Sequence, residues 1–173
     1  MIIAIKGSCD MDIKSEDFID GSSLELTHAL SADYGFGCTG QNVSPQLSWS
    51  GVPDEATHVT LMCFDPDAPT GSGFWHWVVA NIPVSSSSLP RNASAEGLIP
   101  QGAVETRTDF GKPGYGGPCP PVGDKPHAYV FTLFAHNGPL SVHDDIPAAQ
   151  VGFQLHFATV AKAQITGYFG REA

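Results

Sequence analysis

The stretch THVTLMCF at Thr57–Phe64, followed by DPDAPTGSGFW and then HWVVANI at His76–Ile82, decides the fold. Both ends of it are rich in β-branched and apolar residues, the types that pack well on a pleated surface. The first run is stopped by DPDAP and the second by Pro83, because proline has no N–H to give to a ladder. A third run, AYVFTLFA at Ala128–Ala135, has the same make-up and stops near Asn137-Gly138. Leu47–Trp49 and the stretch around Val104 are weaker strand candidates, and AQITGYF at 163–169 reads as one more.

One helix is convincing. Asp144 or Asp145 is placed to cap it, and Pro147 falls near its first turn. Val151, Leu155 and Ala158 recur at helical spacing, which predicts closure near Lys162. The 19 glycines and 14 prolines among 173 residues rule out long helices and predict many turns between short strands. Strands with one late helix define a mainly β fold, a sheet core decorated by loops. No repeat or domain-separating linker interrupts residues 1–173, which read as a single domain able to bury a hydrophobic core. The Ser85–Ser88 run reads as a low-complexity loop between Pro83 and Pro90.

Composition narrows the function. With 15% charged and 42% hydrophobic residues the chain is a compact globule and not a disordered one. A net charge of −10 and eight Lys and Arg argue against nucleic acid, which needs clustered cations to displace counterions. They argue equally against docking on an anionic membrane. The opening MIIAIKGSCDMD has too short an apolar run for a signal segment, and no later run approaches a membrane span, so a cytoplasmic protein is expected. Cys9, Cys38, Cys63 and Cys119 are widely spaced without a CxxC pair, which excludes a zinc ribbon or thioredoxin motif; reduced thiols are the ordinary cytosolic state. The sequons at Asn42 and Asn92 carry no weight without a secretory signal.

GFGCTG at Gly35–Gly40 matches the dinucleotide fingerprint literally, but it follows polar SADY and precedes QNVSP, where Pro45 obstructs a helix. It reads as a glycine-rich loop. DPDAPT at Asp65–Thr70 is a rigid turn whose carboxylates bond backbone amides. If the strands on either side of it pair, Asp65 and His76 emerge at the same sheet rim. Strand alternation predicts the Trp75 and Trp77 rings on one face and His76 on the other. GYGGPCPP at Gly114–Pro121 has few large side chains and can present bare amides, the kind of concavity that holds anions. His127 and Tyr129, being i and i+2, share a face.

Asp65 alone repels phosphate, so its expected role is to hydrogen-bond an imidazole and favour its charged form. The histidines, the Tyr129 hydroxyl and the loop amides are then the donors, and anion affinity rises as pH falls through the histidine pKa. A metal held by Asp65, Asp67, His76 and His127 is the main rival, although HExxH or HxH spacing is absent. Nucleophilic catalysis has less support, with no GxSxG elbow or GxxxxGK[ST] loop and with Cys119 flanked by prolines. His28, His58, His136, His143 and His156 fall in no cluster and are left as surface or core residues.

Taken in order, FGCTGQNVSPQLSW, FDPDAPTGSGFWHWVVANIP, DFGKPGYGGPCPP and HAYVFTLFA resemble the phosphatidylethanolamine-binding protein family, in its bacterial Raf-kinase-inhibitor-like branch. The resemblance runs from roughly Asp17 to Arg171. It implies an antiparallel β-sheet core with Greek-key connections, few short helices and a C-terminal helix near the pocket. It also implies a binding site for phosphate, phosphoryl-ethanolamine or similar anions, matching Asp65, Ala68, Pro69, His76, Gly117, Pro120, His127 and Tyr129. No cofactor or metal is expected. Animal relatives inhibit kinases or proteases, so a protein partner of that kind is open here, as is a homodimer. The alternative is an enzyme, a hydrolase or isomerase using His76 and His127 as acid and base. Where the family usually writes His-Arg-Tyr this chain has His127-Ala128-Tyr129; Ala128 is expected to point away from the pocket, with the loss of an outer-face ion pair. Cys38 and Cys119 sit in blocks typical of the bacterial branch, which suggests neighbours in space and a disulfide as a hypothesis.

Overall fold

The computed structural model describes residues 10–173, so the opening MIIAIKGSC, with Cys9, lies outside the described residues. The chain runs through β1 (Asp12–Lys14), single 3-10 turns at Leu26–His28 and Ala32–Tyr34, β2 (Leu47–Ser50), β3 (His58–Asp65), β4 (Phe74–Pro83), β5 (Ser88–Leu89) and β6 (Val104–Glu105). It ends with β7 (His127–His136), α1 (Ala148–Ala158) and β8 (Thr159–Phe169). A small sheet has the order β1-β2-β5 and a larger one the order β6-β4-β3-β7-β8, with antiparallel pairing throughout. The long link after β4 carries the chain past β3 and places β7 on its far side, the over-passing connection expected of a Greek key.

The larger sheet is covered on both faces. One face meets the small sheet, where Leu47, Trp49 and Leu89 pack with Val59, Leu61, Trp77, Phe131 and Leu133. The other carries Met62 and Val78 against Val151 and Leu155 of α1 and against Leu140 and Ile146. Double coverage explains why five successive residues of β3, Val59 to Cys63, are buried without alternation. Each large side chain buried there stabilises the fold by roughly 1.5–3 kcal/mol relative to exposure.

Several local expectations are corrected. Ser88 is not loop: it pairs with Ser48 and makes β5 with Leu89. Neither Asp144 nor Asp145 caps α1; Pro147 is its N-cap residue, with no side-chain bond, and Asp145 instead faces Arg107 at 3.6 Å. The helix closes at Ala158, not near Lys162, and Thr159 is at once its C-cap and the first residue of β8. From Thr159 onward β7 offers a long antiparallel ladder, from His136↔Thr159 to His127↔Phe169 with one irregularity between Ala135 and His136, and those pairings outweigh another helical turn. The alternating burial of β8, with one side toward solvent, fits this edge position.

The face assignment around His76 also fails. The β3–β4 ladder goes from Cys63↔Trp77 to Phe64↔Trp75, which leaves His76 as the extra residue of a bulge. A bulge breaks the two-residue period, so Trp75 and Trp77 part company. Trp75 stacks on Phe64 and packs on the helix side, whereas Trp77 enters the core between the sheets. His76 turns to the Trp77 side, where its ring meets Tyr129 edge-on at 5.1 Å.

Candidate functional site

The end of β3 and the starts of β4 and β7 come together at one rim, and there a cavity of about 330 Å³ opens. Asp65, Ala68, Pro69, His76, Pro120, His127 and Tyr129 all line it. Gly117 does not. The wall also includes residues that the sequence did not single out: Leu30, Phe36, Thr70, Phe74, Phe110 and Pro121. Phe36 was visible as an aromatic side chain set between two glycines, but nothing local says which way that loop folds.

Asp65, 3% exposed, organises the floor. One carboxylate oxygen accepts the Asp67 amide at 2.8 Å, the turn expected of DPDAP, and the other accepts from His127 Nδ1 at 2.8 Å. The second ring nitrogen of His127 faces Asp124 Oδ2 at 3.1 Å. Burial works against the charged form of His127, but the bonds to Asp65 and Asp124 prevail and raise its pKa. Both His127 ring nitrogens thus face carboxylates, an arrangement that favours the imidazolium. Asp67 accepts the Ala128 amide at 2.9 Å, which lowers its own pKa, and it also faces Lys125 at 3.5 Å.

His76 stands in the opposite state. Burial lowers its pKa, with the Gly116 carbonyl opposing. Its Nδ1–H donates to that carbonyl at 2.7 Å, so Nε2 carries the lone pair. Tyr129, 1% exposed, has a hydroxyl with no hydrogen-bond partner; burial first and then the Asp65 carboxylate push its pKa well up. The polar floor is thus the Tyr129 hydroxyl, beside the Asp65 carboxylate but outside hydrogen-bond geometry with it, and one imidazole acceptor next to the His127–Asp65 pair.

The expected loop amides are not free. The N–H groups of Tyr115, Gly116 and Gly117 donate to Ser94 Oγ, the His76 carbonyl and Asn42 Oδ1. Gly117 has a packing reason to be glycine: an added Cβ meets the His28 carbonyl oxygen at 2.1 Å. The 115–117 amides are thus committed within the fold and are not the anion donors expected of this loop. Among the described residues no group of three or more His, Cys, Asp or Glu is arranged to hold a metal ion. No helix among them is long and apolar enough to cross a membrane.

Cys38 and Cys119 are joined in a disulfide, and Cys63 is a buried free thiol in the core. The bond fastens the GFGCTG loop to the pocket wall.

A two-sheet β fold with a partly open, mostly apolar pocket at a strand rim defines a small-ligand binding domain. The chain belongs to the phosphatidylethanolamine-binding protein family, whose signature it matches over residues 14–170. It is 44% identical over 157 residues to the UPF0098 protein YbcL of Escherichia coli (strain K12), covering 89% of this chain and 84% of that one. It is 43% identical over 162 residues to YbhB of the same organism, covering 92% and 99%. The crystal structure of YbcL, described as a new member of the mammalian family, superposes with a TM-score of 0.88 at 43% identity, covering 93% of this chain and 98% of that one.

Proposed function

We propose that the pocket binds a small, singly charged anion, a phosphoryl group or one of similar shape, and that the protein acts by occupancy. The observation that carries this reading is the buried Tyr129 hydroxyl without a partner, set beside His76 on the cavity floor. A buried donor left unmade costs about 1–3 kcal/mol, which a ligand oxygen recovers. His76 refines the choice of ligand. Its lone pair accepts from a protonated phosphoryl P–OH, or it takes a proton and then donates. Either route binds one more proton, and among the described residues the lining includes no lysine or arginine to offset a second negative charge. Affinity therefore rises as pH falls through the second ionisation of a phosphomonoester, near about 6.

Both nitrogens of His127 are engaged by carboxylates, so it is better placed to hold the floor than to shuttle protons, which disfavours an acid–base enzyme. Exposed Phe36 and Val122 near the mouth are surface that a kinase or protease partner reading the occupied state would cover. Calorimetry with inorganic phosphate and phosphoethanolamine tests the pocket. Tyr129→Phe removes only the hydroxyl and is expected to weaken binding by roughly tenfold or more, the worth of a bond to a charged group. Equal affinity in the two proteins sinks the proposal.

A further inference from the structure

Phe36 forms one wall of the pocket, although 62% of its surface is exposed and it lies outside helix and strand, just past the 3-10 turn at Ala32–Tyr34. That loop leaves the fold after Leu30, whose amide donates to the Pro118 carbonyl, and returns at Gly40, whose amide donates to the Leu30 carbonyl. Between these anchors Gly35 and Gly37 adopt positive φ, so the tip has little conformational preference of its own. It is fastened to the pocket wall at two points. One is the Cys38–Cys119 bond, whose second cysteine lines the cavity. The other is Arg171, which donates to the Pro120 and Gly37 carbonyls at 2.7 and 3.2 Å. The Phe36 ring adds a looser contact, 6.4 Å from Phe110.

We propose that the Cys38–Cys119 disulfide is a redox latch that holds the Phe36 loop as a wall of the pocket, so that ligand affinity depends on the redox state of this bond. Two electrons and two protons from a dithiol reductant cleave the S–S bond, leave thiols on Cys38 and Cys119, and convert the reductant to its own disulfide. Arg171 then reaches the loop only through the Gly37 carbonyl, and the rest of the hold is the Tyr34 ring, edge-on to Phe110 at 5.4 Å and capped by the Lys112 ammonium. The floor at Asp65, His76, His127 and Tyr129 stays in place, because it rides on strands. The open form keeps its polar groups and loses part of its apolar enclosure. In the reducing cytoplasm expected from the sequence the latch is open to reductants, whereas an oxidising compartment keeps it shut.

The affinity arm rests on the phosphoryl reading above; the exchange arm does not. Hydrogen exchange of the full chain is measured with and without a dithiol reductant, followed by calorimetry with inorganic phosphate. Reduction is expected to speed exchange at Tyr34 and Gly35, whose amides are hydrogen-bonded within the loop, by roughly tenfold or more while β3 and α1 hold their rates, since local opening is independent of global unfolding. Phosphate affinity is expected to fall several-fold. The double variant Cys38→Ser/Cys119→Ser reproduces both effects without reductant. Phe36→Ala, which keeps the disulfide, loses the same affinity and gains no further sensitivity to reductant, because both changes remove one wall. Unchanged exchange on reduction overturns the latch. So does equal phosphate affinity in the two redox states, or a Phe36→Ala variant that responds to reductant as the parent does. If phosphate binds neither form, the phosphoryl reading fails and exchange alone decides the latch.

Discussion

Gly117→Ala separates two accounts of the glycine-proline loop. As a ligand-facing wall with a free amide, Gly117 accepts a methyl group at the expense of binding. As a packing residue, it accepts one at the expense of the fold. A Cβ there lies 2.1 Å from the His28 carbonyl oxygen, 2.7 Å from Ala29 C and 2.8 Å from Leu30 N, all of them backbone. Ordinary contact needs about 3.5 Å, so one segment must retreat by more than about 1 Å. The bonds across that seam are Leu30 N–H to the Pro118 carbonyl at 2.9 Å, Gly117 N–H to Asn42 at 2.8 Å and Tyr115 O–H to the His28 carbonyl at 2.8 Å. Losing two of them costs about 2 kcal/mol in all, at about 1 kcal/mol each. Overpacking adds about 1–3 kcal/mol, for a total of about 3–5 kcal/mol. Urea unfolding of both proteins, with a shared slope, reads the difference. A loss below about 1 kcal/mol refutes the packing account, because it is smaller than the overpacking cost plus even one broken bond.

Other consequences are as direct. Gly152→Ala, in α1 with open space around the added Cβ, is expected to stabilise by up to about 1 kcal/mol in the same urea assay. The raised pKa of His127 means that its stabilising contribution is complete below its ordinary value of 6.5 and is lost as pH climbs through the raised one. Melting curves from acid to alkaline pH should show that loss in the parent and not in His127→Asn. Phe153 and Phe157, 69% and 74% exposed on the outer side of α1, stack edge-on at 5.3 Å. Replacing either by serine is expected to change stability by less than about 0.5 kcal/mol, which thermal unfolding would check.

The central strands were legible because both faces of the larger sheet are covered, so β-branched and apolar residues crowd 57–64 and 128–135 on both sides of the strand. The edges were less so. β5 consists of Ser88 and Leu89, and it is a strand only because β2 lies beside it. The end of α1 was misjudged by local spacing, since the pairing of Thr159 with His136 depends on a strand more than twenty residues upstream. At the site, the pairs Asp65 with His76 and His127 with Tyr129 followed from strand order and parity. The bulge at His76 did not, because the extra residue exists only relative to its partner β3. Nor could the sequence show that Asn42 and Ser94, distant in the chain, take up the amides of the 115–117 loop.

The origin of the pocket's parts bears on how it could be redesigned. Its polar floor comes from adjoining strands and the turn that joins two of them, whereas Phe36, Phe110 and Pro121 belong to loops. A library that randomises those loop positions alters which organic body fits above the floor without touching the Tyr129 hydroxyl and the His76 imidazole. Floor polarity and body shape are thus encoded by separate stretches of chain, and new specificities can be selected along one axis at a time.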